Sequence, residues 1–223
     1  MRKKQFIVIG LGRFGTSVAE TLYSLGNEVL AVDIDEEAVQ NIADRVTHAV
    51  QVDANDEASL RALGIGNFDV AIISIGSDIQ ANILSTLLVK EMNVKHIITK
   101  ANNAMHAKVL YKIGANRVIF PERDMGVRVA HNLCSSSILD YIELSPDFSI
   151  AEIVCPSEWE GNSLKDLNLR VKYGINVVAI KRENDIDISP SADMIIESGD
   201  IIVAIGGNNE LNNIERLVGK GEQ

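Results

Sequence analysis

Short apolar runs alternate with longer amphipathic stretches through the first half of the chain. Runs at 5–10, 28–33, 48–52, 69–75, 95–100 and 116–120 are rich in Val and Ile and too short for helices, which predicts six strands. The stretches between them, at 14–25, 35–44, 56–63, 78–92 and 103–113, predict helices, with Asp56 and Asp78 placed as N-caps. Strands and helices in regular alternation, joined by short connections, predict an α/β fold: a Rossmann-like, doubly wound parallel sheet.

From Asp140 onward the texture changes. DYIELS, FSIAEIVCP, INVVAIKRE, DIDIS and SGDIIVAIGG read as short strands, and a last helix is predicted near 208–218, so a small α+β lobe follows the sheet. Gly174, Gly199 and Gly206-Gly207 are expected to punctuate it as turns. After Pro121 the stretch ERDMGVRVAHNLCSS predicts a helix that ends near serines 135–137, the natural place for a crossover or hinge. The expected division is therefore 1–121, 122–138 and 139–223, with no solenoid-length repeat.

The loop Gly10-Leu11-Gly12-Arg13-Phe14-Gly15 adds chemistry to this fold. Gly10 permits the tight turn off the first strand, Gly12 lets backbone amides approach a phosphate, and Gly15 lets the helix pack closely on the sheet. The helix N-terminus supplies an anion site. Asp33 ends the second strand, where this architecture places a carboxylate that accepts hydrogen bonds from a ribose diol. An adenosine-bearing ligand is expected. Arg13 is the unusual member, because a dinucleotide's pyrophosphate needs only amides and the helix end, whereas a terminal phosphate would use a guanidinium well. The alternative is a solvated arginine, against which a cation at that end opposes the helix dipole.

Bulk properties narrow the classes. The 223 residues are 46% hydrophobic, and no apolar stretch approaches the roughly 18 residues of a membrane span, nor does the start resemble a signal peptide. A cytoplasmic chain is expected. The net charge of −10 is uneven: residues 137–223 hold 7 Lys+Arg against 16 Asp+Glu. That acidity opposes nonspecific binding to nucleic acid or to anionic lipid, so a membrane connection would run through a protein partner rather than direct insertion. Cys134 and Cys155 lack metal or redox spacing and are expected to be buried thiols, the four histidines are scattered, and Met125 and Trp159 are expected to pack. Apolar positions around Ile79, Ile83 and Leu87 fit either a core face or a subunit contact.

Taken together, VIGLGRFG, AVDID, ISIGSDIQANILST, KANNAMHAKVLYKIGA and FPERDMG resemble the RCK (KTN) nucleotide-binding domain, and more closely that of the regulatory subunits of Ktr-type potassium uptake systems. The stretch SLKDLNLRVKYGINVVAIKRENDIDISPSADMIIESGDIIVAIG is similar to the family's C-terminal lobe (RCK_C, or TrkA_C). The resemblance implies a non-enzymatic gating subunit: a homodimer that assembles into an octameric ring beneath a membrane potassium channel subunit and responds to exchange of ADP for ATP.

Carried onto this chain, the resemblance gives Gly10, Gly12, Phe14 and Gly15 to the phosphate turn, Arg13 to a γ-phosphate and Asp33 to the ribose. Asp53, Ala54, Ile75 and Gly76 would line the adenine pocket, and Lys100, Ala101 and His106 would close it. Glu122 would lie near the dimer axis, where the family holds Mg2+ or another cation between γ-phosphates; the bland alternative is an acid in the first turn of a helix. In the C-terminal lobe, Arg170 and Asn176, with Leu164, Ile175, Val177, Val178 and Pro190, resemble a cyclic di-AMP motif, the alternative being an ordinary helix–strand turn.

Two rival readings use the same glycine loop. An NAD(H)-dependent oxidoreductase would fit Asp33, but the second domain is short and shows no acid–base or nucleophile arrangement. An NADH-sensing, Trk-type regulator would keep the gating role and change the ligand.

Overall fold

The computed structural model describes residues 3–134, 138–145, 147–183 and 185–218. The serine run 135–137 and the side chain of Cys134 lie outside the described residues. The chain divides into two compact units, residues 1–121 and 122–223.

The first unit runs β1 (Gln5–Ile9), α1 (Arg13–Ser24), β2 (Glu28–Asp33), α2 (Glu36–Ile42), β3 (His48–Gln51), α3 (Glu57–Ala62), β4 (Val70–Ile73), α4 (Ile79–Glu91), β5 (His96–Lys100), α5 (Ala104–Ile113) and β6 (Arg117–Ile119). Its sheet has the order β3-β2-β1-β4-β5-β6, parallel throughout. Both faces are covered, which is why the strands read as continuous apolar runs rather than alternating ones. Ile7, Ile9, Val32, Ile73 and Ile97 enter the core on one face, and Val8, Val29, Ala31 and Ile72 enter that on the other. The order reverses direction at β1, between β2 and β4, and the crevice beyond the strand ends at such a point is where open α/β sheets bind ligands.

Helix starts follow the expected capping chemistry. The Asp56 carboxylate accepts from the amides of Ala58 and Ser59, and that of Asp78 accepts from Ala81. Asp35 and Asn103 cap α2 and α5 in the same way, by accepting from the amides of Glu37 and His106.

The second unit contains α6 (Pro121–Cys134, its first residue counted with the first unit), β7 (Ile138–Ser145), β8 (Phe148–Val154), the short helices α7 (Leu164–Leu167) and α8 (Leu169–Tyr173), β9 (Asn176–Arg182), β10 (Asp185–Asp187), β11 (Ile201–Gly207) and α9 (Asn208–Val218). Its antiparallel sheet has the order β10-β9-β11-β8-β7. Trp159, Leu167, Leu169, Ile175, Ile202 and Leu211 form the core of this unit. Cys155 is buried as expected, and burial pushes its thiol up to about 12. Met125, by contrast, is 54% exposed, on a helix where Val127 and Val129 are exposed too.

Gly174 and Gly199 lie in turns, at φ +72° and +85°. Gly206 and Gly207 do not: they extend β11 and pair with Ser149 and Phe148 of β8. A Cβ on Gly206 would fall 2.8 Å from Ile175 Cγ2, so the small residue is required by close packing, not by a turn. A fork links β9 to the approach to β11. Arg182 donates from Nε and Nη2 to the fully buried Asp200 carboxylate, both at 2.8 Å, and from Nη1 to Glu197 at 2.7 Å. Hydrogen bonding from Arg182 holds the Asp200 carboxyl below its usual range despite burial.

Candidate nucleotide site

The chain turns off β1 at Gly10, whose φ is +94° and whose Cβ, if it had one, would sit 2.9 Å from the amide nitrogen of Ile75. Gly15 is buried in the first turn of α1, where a Cβ would collide with the carbonyl of Gly10 and the hydroxyl of Ser74. Gly12 differs from both, because nothing lies within 4 Å of its Cβ position. Three glycines thus have three requirements: backbone conformation, close packing and access.

Helix α1 begins at this open end. Helices α2, α3, α4 and α5 each satisfy their first amides with an Asp or Asn side chain, whereas α1, capped by Gly12, has no side-chain cap and no acid in its first turn. Its leading amides are therefore available to an anion, with the helix dipole behind them. Arg13 is exposed at the first helical position and makes no ion pair among the described residues. Phe14 beside it is half-buried.

Asp33 ends β2 half-buried, with one carboxylate oxygen accepting the amide of Leu11 and the other that of Asp35 at 2.9 Å. The first bond ties the carboxylate to the glycine turn. Each oxygen keeps a lone pair for a hydroxyl donor. Asp53 is exposed and accepts from the amide of Asn55, while Ala54 is buried. Ile75 and Gly76 follow β4, and the Lys100 ammonium at the end of β5 lies 3.2 Å from where a Gly76 Cβ would be. Ala101 is buried.

His106 is buried in the first turn of α5; its Nδ1 takes a long contact of 3.4 Å from the Asn102 amide, and its Nε2 is buried without a partner among the described residues. Burial lowers its pKa, which favours neutral imidazole. Glu122 is exposed in the first turn of α6, in the second unit, and the described residues contain no group of three side chains suited to one metal ion.

Residues that the sequence reading passed over hold these loops. Ser74 donates to the carbonyl of Gly10, Asn82 to those of Ile75 and Lys100, and Asn102 to that of Gly76. The only sequence signal was a polar trio, Asn82, Ser85 and Thr86, at helical spacing inside a mostly apolar helix.

The second unit has an open groove of about 350 Å³ lined by Leu164, Lys165, Asn168, Leu169, Arg170, Ile175, Asn176, Val177 and Ala192. Arg170 and Asn176 are exposed at its rim, Leu164 is half-buried, and Ile175 is fully buried beneath it. Val178 and Pro190 do not line it. In the core of the same unit, Trp159 packs against Tyr173, their ring centroids 5.5 Å apart.

The TrkA-N domain family matches residues 6–121 and the TrkA-C domain family residues 149–219. Over 97% of its length the chain is 50% identical to the Ktr system potassium uptake protein C of Bacillus subtilis, covering 98% of that protein. It belongs to the Ktr potassium-uptake family of RCK proteins. The Ktr system potassium uptake protein A of the same organism is 46% identical over 96% of this chain and 97% of its own. Among solved structures, the GsuK RCK domain matches with a TM-score of 0.68 at 18% identity, over 98% of this chain and 48% of that one. GsuK bound to ADP matches with a TM-score of 0.51 at 28% identity, over 58% and 33%. In this Ktr-family chain the TrkA-N match contains the whole glycine-loop site, and the TrkA-C match contains the groove; Glu122 falls just past the first. No described helix is long and apolar enough to cross a membrane.

Proposed function

We propose that this Ktr-family chain is a regulatory subunit whose N-terminal unit distinguishes ATP from ADP and passes that difference to a membrane potassium channel subunit. The observation that carries the reading is the uncapped start of α1 with Arg13 on its first turn. Amides at that end bind any phosphate chain equally, whereas a guanidinium beside them adds attraction for the phosphate that ATP alone possesses. A ligand shifts a conformational equilibrium only by differential affinity, and the terminal phosphate is the one group able to supply it here. Asp33 would take the ribose, and Asp53, Ala54, Ile75, Gly76, Lys100, Ala101 and His106 would enclose the remainder.

GsuK, a structural neighbour solved bound to ADP, supports an adenylate as the kind of ligand. Homodimers assembling into an octameric ring would bring two such sites together. Glu122, an exposed carboxylate of hard-oxygen character, suits Mg2+, but only with phosphate oxygens and a second copy completing the ligand set. Such an ion would offset repulsion between facing γ-phosphates. In the C-terminal unit, the groove with Arg170 at its rim suits cyclic di-AMP, the guanidinium meeting a phosphate and the apolar wall a base.

Calorimetry on the full chain with ATP, ADP, NAD+ and NADH tests the ligand assignment. ATP and ADP are expected to bind at micromolar order with unequal affinity, about −8 kcal/mol for a micromolar site. Tightest binding by NADH, or nicotinamide-dependent turnover of any substrate, would replace the proposal with one of its rivals.

A further inference from the structure

Helix α4 buries polar side chains alongside Leu88 and Val89 and leaves other apolar ones partly exposed. Asn82, Ser85 and Thr86 are each at 0% exposure, while Ile79, Leu84 and Leu87 are 36–41% exposed. An ordinary surface helix buries an apolar stripe and keeps its polar residues outside. Buried polar groups cost free energy unless hydrogen-bonded, so their partners show what the arrangement accomplishes.

Asn82 Nδ2 donates to the carbonyl of Ile75 at 2.7 Å and to that of Lys100 at 3.2 Å, and its Oδ1 accepts from Thr99 at 3.1 Å. Thr86 donates to the Asn82 carbonyl at 2.7 Å, within the helix. Ser85 donates to the carbonyl of Ala54 at 3.1 Å. Side chains from one helix therefore reach the loops after β3 and β4 and the last two residues of β5. Each loop carbonyl they hold belongs to a residue of the nucleotide site. The Ala54 and Ile75 carbonyls lie past the ends of β3 and β4, where no sheet partner fixes them, and Lys100 is the last residue of β5, in register with Ile119 of β6. A neighbouring tie, Asn102 to the Gly76 carbonyl at 2.6 Å, closes the same seam from the other side.

We propose that the buried polar face of α4 positions the nucleotide loops: Asn82 is the positioning residue that sets Lys100 over Gly76, and Ser85 the one that sets Ala54. The inference rests on the adenylate reading of the site. A hydrophobic face would bury α4 equally well but could not aim irregular backbone, whereas satisfied buried hydrogen bonds are directional and rigidifying. The two ties differ in what they hold. Lys100 carries a charge, so its displacement should weaken the more highly charged nucleotide more; Ala54 carries none, so its displacement should weaken both alike.

The test is calorimetry with ATP and ADP on the full chain, together with the melting temperature measured without nucleotide. Ser85→Ala is expected to weaken both nucleotides by about threefold, and Asn82→Ala to weaken ATP by about tenfold and ADP by about threefold. Asn102→Ala changes an exposed residue, leaves the core untouched and should shift the ATP:ADP ratio in the same direction as Asn82→Ala. Should Asn82→Ala fail to melt cooperatively, Asn102→Ala and Ser85→Ala decide the matter. Variants that melt lower yet bind both nucleotides like the wild type would make the polar face merely structural and overturn the inference. A wild-type chain that binds ATP and ADP equally would instead remove the switch proposed above, while joint loss in Ser85→Ala would still support positioning.

Discussion

Replacing Arg13 by alanine takes one permanent positive charge from the first turn of α1 and leaves the backbone amides where they are. ADP and ATP would share those amides, so the variant isolates the terminal phosphate. Two unit charges about 4 Å apart attract by roughly 1 kcal/mol in bulk water and roughly 4 kcal/mol at the effective dielectric near a protein surface. Arg13 is exposed, which places the contact toward the weaker limit, about 1–2 kcal/mol, or about five- to thirtyfold in affinity. Calorimetric titration of Arg13→Ala is therefore expected to lose that factor for ATP and less than about threefold for ADP. Salt supplies a second check. The screening length falls from about 10 Å at 0.1 M to about 3 Å at 1 M, so the preference for ATP should shrink with salt more steeply in the wild type than in the variant, which keeps the Lys100 charge. Equal losses for the two nucleotides would refute a terminal-phosphate role for this guanidinium.

Gly15→Ala should lower stability by about 1–3 kcal/mol or more, since its Cβ would strike the Gly10 carbonyl and Ser74, whereas Gly12→Ala, with open space around it, should leave the melting temperature unchanged and reduce nucleotide affinity. Thermal melts paired with titration separate the two. Asp200→Asn should destabilise the second unit toward the lower end of the roughly 3–5 kcal/mol seen for broken buried pairs, because Arg182 is 37% exposed. Arg182 holds the Asp200 pKa down, so its contribution is full above the ordinary carboxyl value of about 3.9 and is lost as pH falls through the lower folded value; wild-type and variant melting curves should begin to approach each other below about pH 4 and meet only below that folded value. Arg170→Ala should abolish cyclic di-AMP binding in calorimetry and spare ATP, and loss of both ligands would contradict two separate sites.

The parallel sheet was legible because its central strands β1, β2 and β4 are covered on both faces and so appear as apolar runs rich in Val, Ile and Ala. Asp56 and Asp78 were legible as caps because an acid before an apolar helix has a local purpose. Gly206 and Gly207 were misread for a complementary reason. Nothing near them in sequence distinguishes a glycine that turns the chain from one that makes room for a distant Ile175. Asn82, Ser85 and Thr86 stayed hidden because hydrophobic periodicity takes the apolar face as the buried one, and α4 buries these polar residues alongside Leu88 and Val89. Their partners, Ala54, Ile75 and Lys100, lie on three other segments, a relation that exists only in the folded chain. Around the groove, Arg170 and Asn176 could be read from a linear motif, but the absence of Val178 and Pro190 from the lining depends on strand register and turn placement.

The chain's single tryptophan, Trp159, sits fully enclosed in the second unit, in contact with Tyr173 and a short distance in sequence from Leu164 and Leu169 of the groove wall. Indole emission excited to the red of tyrosine absorption consequently watches that half alone, and the glycine-loop half, whose fluorophores are Tyr23 and Tyr111, is silent to it. Unlabelled chain can then report, from one fluorescence trace set against circular dichroism, whether the halves melt together or in sequence, and whether a ligand taken up by the silent half alters the other.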